Sequence, residues 1–117
     1  MTLTPAMFAI LLALHAGPRH GYALMDDVDT LTGGVITLGP ATLYRSLQRL
    51  RVDGLIEELD EGLPAQAPPD RRAERRRSYR ITEAGRTATT TEAQRLGALA
   101  TAARRVGVTV AANRSAS

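Results

Sequence analysis

A chain of 117 residues has room for one domain. Although 44% of the residues are hydrophobic, only one is Phe, three are Tyr and none is Trp, so a core has to come from Leu, Ile, Val and Ala, which favours helices over a β-sandwich. The absence of cysteine excludes disulfides, thiolate metal sites and thiol nucleophiles, and the net charge of +3, carried by 15 arginines against 12 acids, conceals a strong segregation of charge along the chain.

Leu3, Met7, Ile10, Leu11 and Leu14 recur at three- and four-residue spacing and predict a first helix, with Thr4 as cap and Pro5 at its first position, ending at Ala16-Gly17-Pro18. Its apolar stretch, Ala6 to Leu14, is too short to span a bilayer and lacks the basic lead-in of a secretory signal. A cytoplasmic protein with no membrane partner is expected. A second helix is predicted over Gly21 to Leu31, with Leu24, Val28 and Leu31 on one face, closed by Thr32-Gly33-Gly34. The short β-branched run Val35-Ile36-Thr37 could add a third strand to a small sheet. Pro40 then opens a third helix, with Gly39 as cap, a buried stripe of Leu43, Leu47 and Leu50, and Asp53-Gly54 as its end.

Helix three carries the first block of positive charge. At about 100° per residue, Leu47 and Leu50 fall close to Leu43, while Ala41, Thr42, Arg45, Gln48, Arg49 and Val52 fall on the opposite side. A helix laid in the major groove needs such a face: Arg can bond guanine bidentately, Gln can do so for adenine, and small residues allow close approach. Tyr44 sits at the flank, where its hydroxyl can reach a phosphate or its ring can pack half-buried. An ordinary polar face is the plain alternative.

Leu55 to Leu59 reads as a strand and Ser78-Tyr79-Arg80-Ile81-Thr82 as its antiparallel mate. Between them, at about residues 60–77, lies a wing with Gly62, Pro64, Pro68 and Pro69 followed by Arg71, Arg72, Arg75, Arg76 and Arg77. It is too long for a tight hairpin, and its composition predicts mobility in the free protein. Five arginines on such a loop suit phosphates or the minor groove; a solubilising insertion is the alternative. From Asp53 to Asp70 there are six acids and no base, and from Arg71 to Arg86 seven Arg against two Glu, so positive charge is concentrated on helix three and the wing.

Thr82 can cap a fourth helix running to about Val106 or Ala112. Along it Ala93, Leu96, Ala100, Ala103 and Val110 keep heptad-like spacing, with Leu99 and Val106 beside the seam. A lone helix cannot bury that stripe, so pairing with a second copy is the economical solution, and Leu96, Leu99, Ala100, Ala103 and Val106 are the expected dimer contacts. Gly97 and Gly107 weaken the helix, and Val106-Gly107-Val108-Thr109-Val110 could fray or form a strand. The expected organisation is a DNA-binding domain over 1–82, a dimerisation helix over 83–112 and a disordered tail over 113–117.

No enzymatic constellation stands out. His15 and His20 lack a clustered acid and are expected to cap or pack locally; Asp26, Asp27 and Asp29 lack the spaced ligands of an EF-hand, and Gly33-Gly34 lacks the Lys of a P-loop. No catalytic residue, metal site or cofactor is expected.

Several segments, in order, resemble the PadR family of bacterial transcriptional regulators: His20-Gly21-Tyr22-Ala23-Leu24, Thr32-Gly33-Gly34, Gly39-Pro40-Ala41-Thr42-Leu43-Tyr44, Asp53-Gly54-Leu55-Ile56, and Arg77 through Arg86 with Glu83-Ala84-Gly85. The resemblance covers about Leu3 to Arg86. It implies a mainly α fold with a small β-hairpin, a winged helix-turn-helix with a C-terminal dimerisation helix, and a repressor that is often released by a small-molecule effector. The family commonly has a Ser cap where this chain has Gly39, and often a Pro where it has Arg45. The expected DNA contacts are Thr42, Tyr44, Arg45, Gln48, Arg49, the five wing arginines and Tyr22. The expected partner is double-stranded DNA with a palindromic operator, bound by a homodimer whose recognition helices lie about 34 Å apart. A winged-helix module binding an acidic protein is the alternative, and the salt dependence of binding separates the two.

Overall fold

A computed structural model describes residues 3–59 and 77–109. Helix α1 spans Pro5–Leu14, strand β1 Arg19–His20, α2 Ala23–Leu31, α3 Pro40–Val52, β2 Ile56–Leu59, β3 Ser78–Ile81 and α4 Glu83–Arg105. Helix α1 starts as its sequence dictates: the Thr4 hydroxyl accepts the Met7 amide at 3.1 Å, and Pro5 occupies the first turn, where no intrahelical N–H partner is needed. Met7, Ala9, Ile10, Leu11, Ala13 and Leu14 are all buried, so α1 runs through the middle of the core rather than along its surface. Leu24 and Val28 of α2, Leu43, Leu47 and Leu50 of α3, and Leu55, Ile56, Tyr79 and Ile81 close around it.

The sheet has the order β1-β3-β2, with both pairings antiparallel. Ile56 stands opposite Ile81 and Leu59 opposite Ser78, while Arg19 and His20 pair with Tyr79 and Ser78. The third strand is therefore Arg19–His20 and not the expected Val35-Ile36-Thr37. Those three residues are held in a turn by Thr32, whose hydroxyl donates to the Val28 carbonyl at 2.8 Å and accepts the Ile36 amide at 3.1 Å. That bond takes an amide a ladder would have used. Val35 points into solvent and Ile36 packs on the core. A second correction concerns Leu31, which is 55% exposed because α2 ends there, past the edge of the core.

Thr82 and Gly85 fix the start of α4 to the rest. Thr82 caps it, accepting the Gly85 amide at 3.0 Å and donating to the Gly54 carbonyl at 2.7 Å. At Gly85 a β-carbon would collide with the Leu55 carbonyl oxygen and lie 2.7 Å from Ile81 Cγ1, so only glycine allows this approach. Thr89, whose hydroxyl donates to the Gly85 carbonyl at 2.7 Å, is the last buried residue of α4, and the helix still faces the domain at Glu92 and Leu96. It ends at Arg105, short of the more distant expected limit at Ala112; Gly107 follows with φ +90°, a conformation that stops a helix. Among the described residues no helix is long and apolar enough to cross a membrane. The wing segment with Arg71, Arg72, Arg75 and Arg76, together with Val110 and the expected tail, lies outside the described residues.

Candidate nucleic-acid interface

Helix α3 is anchored at both ends and along one face. Gly39 caps it in an extended conformation and Pro40 begins it. At the other end the Leu55 amide reaches the Leu50 carbonyl at 2.9 Å and the Gly54 amide the Arg51 carbonyl at 3.0 Å, a Schellman pair that requires the left-handed φ of +76° at Gly54. Leu43, Ser46, Leu47 and Leu50 are buried, and this stripe fixes the rotation of the helix about its axis. Thr42, Arg45, Gln48 and Arg49 consequently face outward together. Arg45 has no hydrogen-bond or ionic partner among the described residues. The Arg49 guanidinium pairs with Asp53 at 3.1 Å but keeps 68% of its side chain exposed, the geometry of a weak surface pair that a competing anion can displace.

The flank of α3 is built on Gly21. A β-carbon there would meet Tyr79 at 3.3 Å and Tyr44 at 3.5 Å, so the missing side chain lets β1 run against both rings. Tyr44 is half-buried, its ring packed against the core. Tyr22 is 51% exposed and stacks on the His20 ring at a centroid distance of 5.6 Å. The other histidine also acts locally, His15 Nδ1 lying 2.8 Å from the Leu11 carbonyl.

At the root of the wing, charge is organised by two glutamates on β2. Glu58 takes Arg51 Nη1 on Oε2 at 2.8 Å and Arg77 Nε on Oε1 at 3.2 Å, joining the last turn of α3 to the start of β3. Glu57 pairs with Arg80 on the neighbouring strand. Tyr79 lies beneath this cluster, and burial, reinforced by the Glu58 carboxylate, pushes its phenol above the ordinary tyrosine range, although Arg77 and Arg51 pull the other way. Arg77, grouped by sequence with the wing tip, is thus tied to the sheet.

Helix α4 carries a different surface. Leu96, Leu99 and Val106 are exposed, while Ala100 and Ala103 are half-buried within the chain alone. On its inner side Leu96 meets Leu3, Phe8 and Ile36 across an apolar groove of about 330 Å³, with the Glu92 and Arg95 ion pair at its rim. Among the described residues Phe8 is its one aromatic wall. Among the described residues no group of three or more His, Cys, Asp or Glu side chains is placed to hold a metal ion.

The model of the transcriptional regulator PadR-like family matches residues 10–91. The chain belongs to that family. PadR-like proteins are transcriptional regulators and not enzymes. Three solved PadR-like or regulator structures share the fold. A transcriptional regulator from Clostridium thermocellum is 22% identical, covering 85% of this chain and 89% of its own, with a TM-score of 0.67. A PadR family regulator from Clostridium difficile R20291 is 16% identical, covering 88% and 98%, with a TM-score of 0.68. A PadR-like regulator from Bacillus cereus is 21% identical, covering 86% and 88%, with a TM-score of 0.63. A curated relative, a 37.1 kDa protein of a Streptomyces fradiae transposon, is 38% identical over 61 residues, which are 52% of this chain and 17% of that protein's length.

The PadR-like match ends at residue 91, before the apolar stretch of α4. Within it, sequence reasoning found the outward face of α3 but missed Arg51 and the glutamate that holds it. The signal was present in outline: Arg51 falls about 80° from Leu43 on the helical wheel, on the same flank as Tyr44, and Glu57-Glu58 is an acidic pair on a strand next to two arginine blocks.

Proposed function

We propose that this PadR-like protein is a homodimeric, sequence-specific DNA-binding repressor. Helix α3 would enter the major groove and read bases with Thr42, Arg45, Gln48 and Arg49, while Arg71, Arg72, Arg75, Arg76 and Arg77 of the wing, together with Tyr22 and Tyr44, would contact the backbone. The observation that carries this reading is the outward face of α3: three polar side chains and a threonine on one exposed surface, the Arg45 guanidinium unpaired among the described residues, and a helix locked in rotation by its buried leucines. Fixed donors of this kind suit guanine and adenine edges.

The exposed Leu96, Leu99 and Val106 support pairing of α4 with a second copy, with Ala100 and Ala103 allowing close approach. A two-fold dimer presents two α3 helices to successive major grooves and calls for a palindromic operator. Occupancy of that operator would block transcription. A small apolar effector would enter the groove beside Leu96 and Phe8, where it would sit against the pairing helix.

A gel-shift titration against the DNA upstream of its own reading frame tests the proposal. The wild type should retard the fragment at submicromolar protein, in the range of specific DNA binding. Arg45→Ala with Arg49→Ala should weaken it by about 2–6 kcal/mol in total, two base contacts of about 1–3 kcal/mol each. A wild-type protein that stays folded and retards no duplex would sink the reading.

A further inference from the structure

One carboxylate, Glu58, holds two arginines that come from different elements. Arg51 belongs to the last turn of α3 and Arg77 precedes β3, yet both guanidiniums converge on opposite oxygens of the same group. Between them lies a cleft of about 220 Å³, walled by Tyr44, Gln48 and Tyr79. Gln48 is also part of the outward face of α3, so the cleft opens onto the proposed recognition surface. Both arginine side chains remain nearly half exposed and Glu58 a quarter exposed, which places the cluster in contact with solvent.

A phosphodiester resembles this carboxylate in the respects that matter to a guanidinium: two oxygens, one negative charge and a geometry that accepts forked donors. Two arginines against one glutamate leave a net charge of +1 at the cleft. Exposed ion pairs of this kind shift an equilibrium by less than about tenfold each, so the carboxylate is exchangeable. A duplex presents one phosphate charge per roughly 1.7 Å of axis and competes strongly for such a site.

We propose that Arg51 and Arg77 form a seat for a backbone phosphate of the duplex, occupied in the free protein by Glu58, which swings aside when DNA docks. The inference rests on the DNA-binding reading above and adds to it a specific phosphate contact outside the wing tip, together with an internal competitor that weakens every encounter with DNA. Arg51 becomes a positioning contact at the C-terminal end of α3, fixing how deeply that helix enters the groove. Arg77 fixes the root of the wing in the same step.

Duplex binding measured by fluorescence anisotropy over a series of NaCl concentrations tests this with the wild type, Glu58→Gln, Arg51→Ala with Arg77→Ala, and the triple variant. Glu58→Gln should tighten binding by roughly two- to tenfold, the range for releasing one or two exposed ion pairs. The double arginine variant should bind more weakly, with a log-log salt slope shallower by about 0.9, the value for one phosphate. In that background Glu58→Gln should gain nothing. A loss or no change with Glu58→Gln overturns the proposal, as does an equal gain in both backgrounds, which would mark plain removal of a negative charge. Inorganic phosphate that displaces DNA better than chloride at equal ionic strength, from the wild type and not from the double variant, supports a shared seat; inorganic phosphate that binds the wild type through these arginines without weakening duplex binding overturns the assignment to the duplex backbone in favour of a free phosphate. If the folded wild type binds no duplex, the DNA-binding reading fails and this seat with it; if it binds and only the Glu58 arm fails, the seat alone is lost. Alkaline ultraviolet titration reports the clamp without DNA, since replacing Glu58 removes one cause that raises the Tyr79 phenol and should move its ionisation to lower pH.

Discussion

At Gly85 one hydrogen atom decides whether α4 can leave the domain at its observed angle. A methyl group there would meet the Leu55 carbonyl, which is backbone and cannot rotate away, as well as Ile81. The same carbonyl accepts the Thr82 amide at 3.0 Å, so a shift that relieves the clash breaks the hydrogen bond that anchors the cap residue of α4. Gly85→Ala should therefore destabilise the protein by about 2–3 kcal/mol, typical of overpacking against an unyielding wall. In a melting experiment that corresponds to a drop of roughly 10–20 °C for a domain of this size; an unchanged melting temperature would show that α4 departs differently. Tyr79 gives a second residue-scale test. Its folded-state phenol ionises above the ordinary tyrosine value, chiefly because it is buried. Below about pH 10 both folded and unfolded chains hold that proton and no stability difference arises; above it the unfolded chain loses the proton first, so stability falls as pH rises towards the folded-state value. Denaturant titrations should show this alkaline decline in the wild type and a smaller one in Tyr79→Phe.

The helices were legible because their signals are local. Leucines at three- and four-residue spacing, Thr4 with Pro5, and Gly39 with Pro40 each fix a helix face or terminus from neighbours in sequence, and α1 and α3 follow them. Strand β1 had no such signal: two residues, Arg19 and His20, become a strand only because β3 offers them a ladder. Val35-Ile36-Thr37 misled for the converse reason, since β-branched composition suggested extension while the Thr32 hydroxyl captured the backbone. In the site, the outward face of α3 could be read from helical geometry alone. The Arg51, Glu58 and Arg77 cluster could not, because it joins three elements whose relative placement depends on the fold. The role of Gly21 likewise appears only where Tyr44 and Tyr79 converge on it. For α4 the element-scale expectation is self-association through its exposed leucines. Leu99, 54% exposed in the single chain, stands in the middle of that face. Leu99→Glu should turn a dimer into a monomer in sedimentation equilibrium, leave the helical circular dichroism largely in place and weaken operator binding. A wild type that sediments as a monomer at micromolar concentration would remove the pairing proposal.

Across the whole molecule, the core and the surface divide the work. The leucine-rich core around α1 holds α3 rigid, so its guanidiniums and amide are presented without the entropy loss that a flexible segment would suffer on binding. The sheet carries the wing root, and its glutamates keep the nearby arginines oriented and partly neutralised. Helix α4 projects away from both, and in the proposed dimer it would set the spacing between two copies. The account turns on the claim that the outward face of α3 distinguishes one base sequence from another. Selecting bound fragments from randomised duplexes, in parallel with wild type and Arg45→Ala, addresses that claim most directly. Wild type should return one palindromic site with half-sites about one helical turn apart, and Arg45→Ala should return the same spacing with preference relaxed at one symmetry-related pair of positions. Fragments without a shared sequence from wild type, or an unchanged site from Arg45→Ala, would contradict it.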